Sequence, residues 1–141
     1  MKSRSRLPDL LFLLTATALA LWFVLPRTVP PVPPEKLLLG SWEMWDKDER
    51  IRVTFREDLT LEVQEGNDRG RVEKARYRVD FSVKPAHLDI WPEGDRHGIQ
   101  TILELTSEGK LRLSDNTPGS PRPTEFKRKT FLFTRVEEAL R

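Results

Sequence analysis

Two histidines and three carboxylates crowd one short stretch of the sequence, which is its densest group of side chains that could do chemistry. These residues are His87, Asp89, Glu93, Asp95 and His97. Imidazole and carboxylate groups bind divalent metals or transfer protons. However, the local pattern places His87 and Asp89 on a strand and the others in a loop, and no third histidine completes a metal-ligand set. We expect a polar turn here. The alternative is a hydrolase-like or metal-dependent enzyme that uses the His87/His97 region.

Other catalytic arrangements lack support in the sequence. The chain has no cysteine, which excludes disulfides, thiolate metal sites and a cysteine nucleophile. No G-x-S-x-G motif surrounds a serine. Carboxylates are abundant, but no pair stands out as a general acid and base. We therefore predict no catalytic residue, no cofactor and no bound metal.

Aromatic side chains and two charged residues are the remaining candidates for binding. The aromatic ones could line an apolar ligand cavity or simply fill it. Arg122 and Glu125 bracket Pro123 and could line a ligand entrance, but we favour a charged pair that pins the surrounding loop, with Phe126 in the core. The candidate ligand-binding residues are Trp42, Phe55, Tyr77, Phe81, Trp91, Arg122 and Glu125.

Strands must position these residues, because from residue 37 onward the apolar period is two rather than 3.6. Turn-forming residues separate the alternating segments, as in Ser107-Glu108-Gly109, and a long loop rich in proline and glycine spans residues 116–123. Only Glu137–Arg141 reads as helical. The predicted strands are Gly40–Trp45, Ile51–Phe55, Leu59–Gln64, Ala75–Val83, His87–Trp91, Ile99–Leu105, Leu111–Leu113 and Thr130–Val136.

Eight consecutive strands, each with one apolar face, favour an all-β fold: a small, closed, antiparallel up-and-down barrel. Closure removes the exposed edges that two open sheets would leave, and a Greek-key sandwich is the alternative. In a closed barrel the first strand pairs with the eighth, so we expect the Arg135 guanidinium within about 6 Å of the Trp42 ring. The inward-facing residues should be Ile51, Val53, Phe55, Leu61, Val63, Tyr77, Val79, Phe81, Leu103 and Leu105.

The N-terminal quarter of the chain resembles a targeting segment and a membrane anchor. Residues 1–6 are basic, residues 7–25 are almost wholly apolar and long enough for a transmembrane helix, and residues 26–36 form a Pro-rich linker, with a polyproline II spacer at 26–35. The positive-inside rule places the N-terminus in the cytoplasm and the domain, residues 37–141, outside it. A cleaved signal peptide, with Ala18-Leu19-Ala20 before the cleavage site, and a secreted domain are the alternative.

The charge of the chain argues against nucleic acid as a partner. Four of its 24 basic residues (Lys2, Arg4, Arg6 and Arg27) but only one of its 22 acidic residues (Asp9) lie in residues 1–27. The domain is therefore nearly neutral, and its charges are interspersed rather than clustered in a basic patch.

Several motifs resemble those of a known family. Gly40-Ser41-Trp42 is similar to the G-x-W of lipocalins, with Arg135 as its companion late in the last strand. Residues 85–90, Gly98-Ile99, the R-P-T-E-F block at 122–126 and residues 131–135 together resemble the lipocalin-like domain family that is abundant in Planctomycetes. The resemblance implies a calycin-type barrel and, by analogy, a binding role.

We accordingly predict a membrane-tethered, extracytoplasmic binding module without catalysis. Its partner is expected to be a small hydrophobic ligand or an envelope protein, besides the membrane that holds its N-terminal helix. An eight-stranded barrel is wide enough to be filled by its own side chains or to hold one small ligand. A structural or inhibitor protein with a filled barrel is therefore a further alternative.

The predicted orientation can be tested with a reporter enzyme that is active only outside the cytoplasm. Fused after residue 36, it should be active in cells, because the basic residues that precede the apolar segment hold the N-terminus inside. The same reporter, inserted after residue 6 and followed by the rest of the chain with its apolar segment, should be inactive. Activity of the second fusion alone would reverse the orientation.

Overall fold

Eight antiparallel strands form one closed sheet in the computed structural model of this protein, which describes residues 30–127 and 129–137. Each strand pairs with its neighbour in the chain, and β1 pairs with β8, so the barrel is of the up-and-down type. The predicted barrel is confirmed, and the Greek-key sandwich is wrong. In chain order the elements are α1 (Pro34–Leu38), β1 (Gly40–Asp46), β2 (Glu49–Phe55), β3 (Thr60–Glu65), β4 (Val72–Asp80), β5 (Ala86–Pro92), β6 (Ile99–Leu105), β7 (Lys110–Ser114) and β8 (Thr130–Arg135).

The inward faces of the strands form one hydrophobic core. All ten residues predicted to face inward either belong to this core or pack against it, as the alternation of strand side chains requires. Ile102 faces outward, as the alternation of side chains requires, but it is nevertheless only 1% exposed. The largest fully buried side chains of the core are Trp42, Phe55, Phe133, Leu38, Leu88, Leu103 and Leu111.

Strand β4 begins and ends three residues earlier than its sequence pattern predicts. The Asp80 carboxylate accepts hydrogen bonds from the backbone N–H of Ser82 at 2.8 Å and from its hydroxyl at 2.6 Å, which turns the chain out of the strand. These hydrogen bonds also hold the pKa of Asp80 below its usual value. Phe81 therefore lies in the β4–β5 turn, where it is only partly buried against the core.

The β2–β3 turn extends through Leu59, which was expected to open the third strand. Leu59 has a φ of 64° and is exposed. The Asp58 carboxylate accepts a hydrogen bond from the backbone N–H of Thr60 at 3.0 Å, and this bond lowers the pKa of Asp58. This hydrogen bond forms an Asx turn, and the left-handed Leu59 lies inside it, between Asp58 and Thr60.

Helix α1 occupies the end of the predicted linker. Pro33 keeps polyproline II angles, but Pro34 opens a helical turn, so the expected extended spacer is wrong for Pro34 and Glu35. Proline suits the first helical position because its missing N–H has no intrahelical partner there. The turn is stabilised by Leu38, which is fully buried in the core and covers the end of the barrel from which β1 starts.

Trp42 and Arg135 close the barrel beside α1, as predicted. They are register partners in the β1–β8 pair, and the guanidinium carbon lies 4.2 Å from the centroid of the indole. The Trp42 Nε1–H donates to the carbonyl of Leu38 at 2.8 Å. Arg135 donates to the carbonyls of Leu39, at 2.8 Å, and of Leu37. Three successive carbonyls, those of the last two residues of α1 and of the residue after it, are thus satisfied by the closure pair.

Gly40 permits this close approach. Its φ is 111°, and a Cβ at this position would lie 3.0 Å from Nη1 of Arg135. A side chain here would therefore strain the backbone and displace the guanidinium at the same time.

Several predictions concern residues outside the described ranges. The apolar segment at 7–25, the basic residues at 1–6 and most of the C-terminal segment 137–141 fall there. In the part of the chain that the structure describes, no helix has the length and hydropathy needed to cross a membrane.

The closure pair should be energetically coupled. Trp42→Ala should lower the free energy of unfolding by about 3–5 kcal/mol, and Arg135→Lys by about 1 kcal/mol, because lysine cannot stack and reach two carbonyls together. In urea unfolding of the full-length chain, the double variant should cost clearly less than the sum.

Trp45→Ala is the matched control for this cycle, because Trp45 lies on the same strand but is 66% exposed. Its effect should add to that of Arg135→Lys. If the Trp42 and Arg135 variants are also additive, their contact does not stabilise the closure.

Candidate functional site

Three of the aromatic residues predicted to bind a ligand instead fill the barrel. Trp42, Phe55 and Tyr77 are buried in the core. Phe55 and Tyr77 pack edge to face with their ring centroids 5.1 Å apart, and the Tyr77 hydroxyl donates to the carbonyl of Arg56 at 2.9 Å. Burial raises the pKa of Tyr77. These rings already contact each other and their neighbours, so they stabilise the fold.

Trp91 has a different environment, because it faces outward and is 46% exposed. It stands on β5 at the edge of a groove of about 410 Å³ on the outer surface of the barrel. The floor comes from β4, β5 and β6, and the walls come from the β5–β6 and β7–β8 loops. We call this site the outer groove, and it is lined by Arg78, Asp89, Trp91, Arg96, His97, Gly98, Ile99, Gln100, Gly119 and Ser120.

Gly98 sets the position of the indole in the outer groove. A Cβ on Gly98 would lie 2.9 Å from Nε1 and 3.0 Å from Cδ1 of Trp91. Real Cβ atoms do not approach other atoms so closely, so only glycine allows the indole to rest against the backbone here. The ring is consequently held in one place while almost half of its surface remains open.

Arg122 holds the long β7–β8 loop against the barrel. Its Nη1 donates to the carbonyls of Leu88, at 3.1 Å, and Thr101, at 2.6 Å, and its Nη2 lies 2.5 Å from Oδ1 of Asp89. Both charged side chains are largely buried. A planar guanidinium can serve several acceptors at once, so one side chain fixes the loop to two strands.

The expected partnership between Arg122 and Glu125 is wrong. Glu125 lies 3.4 Å from Lys127 in an exposed ion pair, and such pairs contribute little to stability. The prediction that Phe126 lies in the core is also wrong. Its ring lies against the outward-facing Arg112, with 5.1 Å between the guanidinium carbon and the ring centroid. The loop is therefore pinned across the outer face of the barrel and does not plug its core.

Two further contacts shape the wall that the β7–β8 loop forms. The Asn116 amide donates to the carbonyls of Gln100, at 2.6 Å, and Pro121, at 3.0 Å. The backbone N–H of Gly119 donates to the carbonyl of Gly98 at 3.2 Å. These contacts hold the wall of the groove beside Trp91.

The charges in the outer groove are mostly positive. Asp89 is its one lining carboxylate, and it contacts both Arg122 and Arg78, the latter at 3.3 Å. Because Arg122 balances the negative charge of Asp89, Arg78 and Arg96 leave an excess of positive charge beside Trp91. The outer groove therefore presents hydrogen-bond donors and cations next to a flat apolar surface.

The two histidines do not form a common site. His87 pairs with Asp80 and Ile102 near the start of β5, whereas His97 lies in the β5–β6 loop, beyond the other end of the strand. Five strand residues separate these ends by roughly 17 Å. Within residues 30–127 and 129–137, no group of three histidine, aspartate or glutamate side chains comes together to hold a metal ion.

Phe81 contributes to a second cavity, of about 380 Å³, near the covered end of the barrel. Pro34 of α1, Pro85 of the β4–β5 turn, and Leu103 and Leu105 of β6 line it with Phe81. Most of these side chains are apolar. Phe81, Leu103 and Leu105 belong to the core or pack against it, so the cavity borders the core.

Comparisons with models of known protein families, with curated proteins and with solved structures found no match for this chain.

The sequence analysis named half of the residues of the outer groove, but for different reasons: Asp89 and His97 as possible metal or proton-transfer groups, and Gly98 and Ile99 as part of the family motif. Trp91 was predicted as a binding residue, but Arg78, Arg96 and Gln100 resembled the ordinary charged or polar residues of a wet strand face or loop. Gly98 was the available signal, because glycine at the start of a strand often marks a close approach to a neighbouring group.

The Arg122 contact should be worth more than a surface ion pair. Arg122→Ala would remove the closer of the two arginines that contact Asp89, together with the side-chain donor to two carbonyls, so we expect a loss of about 2 kcal/mol in the free energy of unfolding. Hydrogen exchange at Gly119 should also accelerate, because the loop loses its attachment.

Arg71→Ala provides the control, since Arg71 forms an exposed ion pair with Glu73 at 3.6 Å. Its loss should stay below about 0.5 kcal/mol. Equal effects of the two variants would show that Arg122 does not fix the loop.

Proposed function

We propose that this chain is a membrane-tethered, extracytoplasmic binding module of the lipocalin-like family, and that it binds an envelope partner at the outer groove without catalysing a reaction. Two features support the family: the up-and-down barrel of eight strands and the stacking of the G-x-W tryptophan on the arginine of the last strand. The basic N-terminus and apolar segment 7–25 support the tether.

One observation supports the outer groove over the barrel interior. Large side chains occupy the interior and are almost completely buried, among them Trp42, Phe55 and Phe133. Trp91, in contrast, stays 46% exposed in a groove with hydrogen-bonded walls. Exposed aromatic residues in preformed sites are typical anchors of binding. The module is thus of the filled-barrel kind, with its recognition surface outside.

A small apolar ligand is the second candidate, and the cavity at Phe81 favours it. Its volume of about 380 Å³ is within the size range of small-molecule sites, and its lining is mainly apolar. Such a ligand would contact α1 and the β4–β5 turn. It would leave the barrel interior unchanged.

The outer groove can be tested by photo-crosslinking of the full-length chain in intact cells. A photoreactive residue in place of Gln100, at the edge of the groove, should yield an adduct with an envelope component. The adduct should disappear when Trp91→Ala is added, because the partner then loses its apolar anchor.

The same photoreactive residue in place of Lys74, which is exposed on β4 outside the groove, should yield no such adduct. Trp45→Ala should leave the adduct from position 100 intact. An adduct that survives Trp91→Ala, or forms equally from position 74, would contradict binding at the outer groove.

A further inference from the structure

The outer groove lies where a bound peptide could not extend the sheet. Strand β5 is hydrogen-bonded to β4 and β6, β4 is also bonded to β3, and β6 to β7. Their backbone groups are therefore already used, and strand addition requires a free edge. Recognition in the groove has to come from side chains.

Those side chains mainly donate hydrogen bonds. The guanidinium groups of Arg78 and Arg96 carry only donors, and Gln100 and Ser120 add an amide and a hydroxyl. The lining carboxylate, Asp89, is occupied by Arg122 at 2.5 Å and Arg78 at 3.3 Å. A complementary ligand is rich in acceptors and carries negative charge.

Trp91 adds a requirement of shape. Its indole rests against Gly98, which leaves a flat apolar surface on the open side. A rigid aromatic plane of this kind contacts a flat ring at little cost in side-chain entropy. The ligand therefore combines a ring that has an apolar face with acceptor groups and an anionic group at its edge.

We propose that the outer groove binds an acidic saccharide, a chain of sugar rings that carry carboxylates. The C–H face of one ring stacks on Trp91, and a hydroxyl accepts from Ser120. The carboxylate of the ring accepts from Arg96 in a bidentate contact, because Arg78 already contacts Asp89. The groove volume of about 410 Å³ is within the range of small-molecule sites. This inference rests on the proposed use of the outer groove for binding.

The walls of the groove are suited to this ligand because they are already in place. Arg122 and Asn116 attach the β7–β8 loop, and the Gly119 N–H attaches it to the β5–β6 loop. A preformed site avoids the cost of ordering its loops on binding. The two arginines remain accessible, so affinity should fall as ionic strength rises.

The probe is trigalacturonate, added to the full-length chain in nanodiscs of phosphatidylcholine. The indole N–H signal of Trp91 in ¹⁵N NMR should shift in a saturable way, while those of Trp42 and Trp45 stay in place. The methyl ester of the same trisaccharide should bind at least tenfold more weakly. Arg96→Gln should also weaken binding of the free acid at least tenfold.

Trp91→Ala should abolish binding, whereas Trp45→Ala should leave the dissociation constant unchanged. Equal affinity for acid and ester would overturn the proposal, as would tighter binding of a hexaglutamate peptide than of the saccharide. In the peptide case, the photo-crosslink from position 100 would still support the outer groove as a binding site. If the saccharide binds as expected but no crosslink forms in cells, the proposed envelope partner is refuted and the saccharide site is not.

Discussion

The contact between Trp42 and Arg135 is the constraint on which the rest of this structure depends. It joins the first strand to the last, and the two side chains also bind three successive carbonyls at the C-terminal end of α1. Together with the backbone pairing of β1 and β8, this contact leaves neither terminal strand as an exposed edge, and it holds α1 and its buried Leu38 against the barrel. Closure thus fixes the register of the whole barrel and removes its exposed strand edges.

Because side chains fill the interior, the proposed recognition surface lies on the outside of the barrel. The rings of Trp42, Phe55 and Phe133 occupy the space where a larger barrel would hold a ligand. The outer face carries the long β7–β8 loop, and this loop is ordered by one buried arginine rather than by apolar packing alone. Arg122 and Arg135 act alike, since each guanidinium joins two segments by donating to backbone carbonyls. Arg122 joins its own loop to β5 and β6, and Arg135 joins β8 to the end of α1.

The sequence predicted the core more fully than it predicted the site. Inward positions such as Val53 and Leu103 follow from strict alternation, which is a local property of a strand. Position 81 follows the same alternation, yet hydrogen bonds from Ser82 to Asp80 end the strand just before it. Arg78 and Arg96 have no periodic signal, because outward polar residues look alike whether they are solvated or line a groove.

The all-β class, the strand order, the pairing of the terminal strands and the inward face could all be predicted from the sequence, because each depends on alternation and on short connections. The three-dimensional arrangement was needed to show that the interior is filled, that Trp91 stays exposed beside Gly98, and that Arg122 bonds to Asp89 rather than to Glu125. These outcomes depend on side-chain volumes and on the path of a long loop. Both bring together residues far apart in the chain, and no local pattern encodes such contacts.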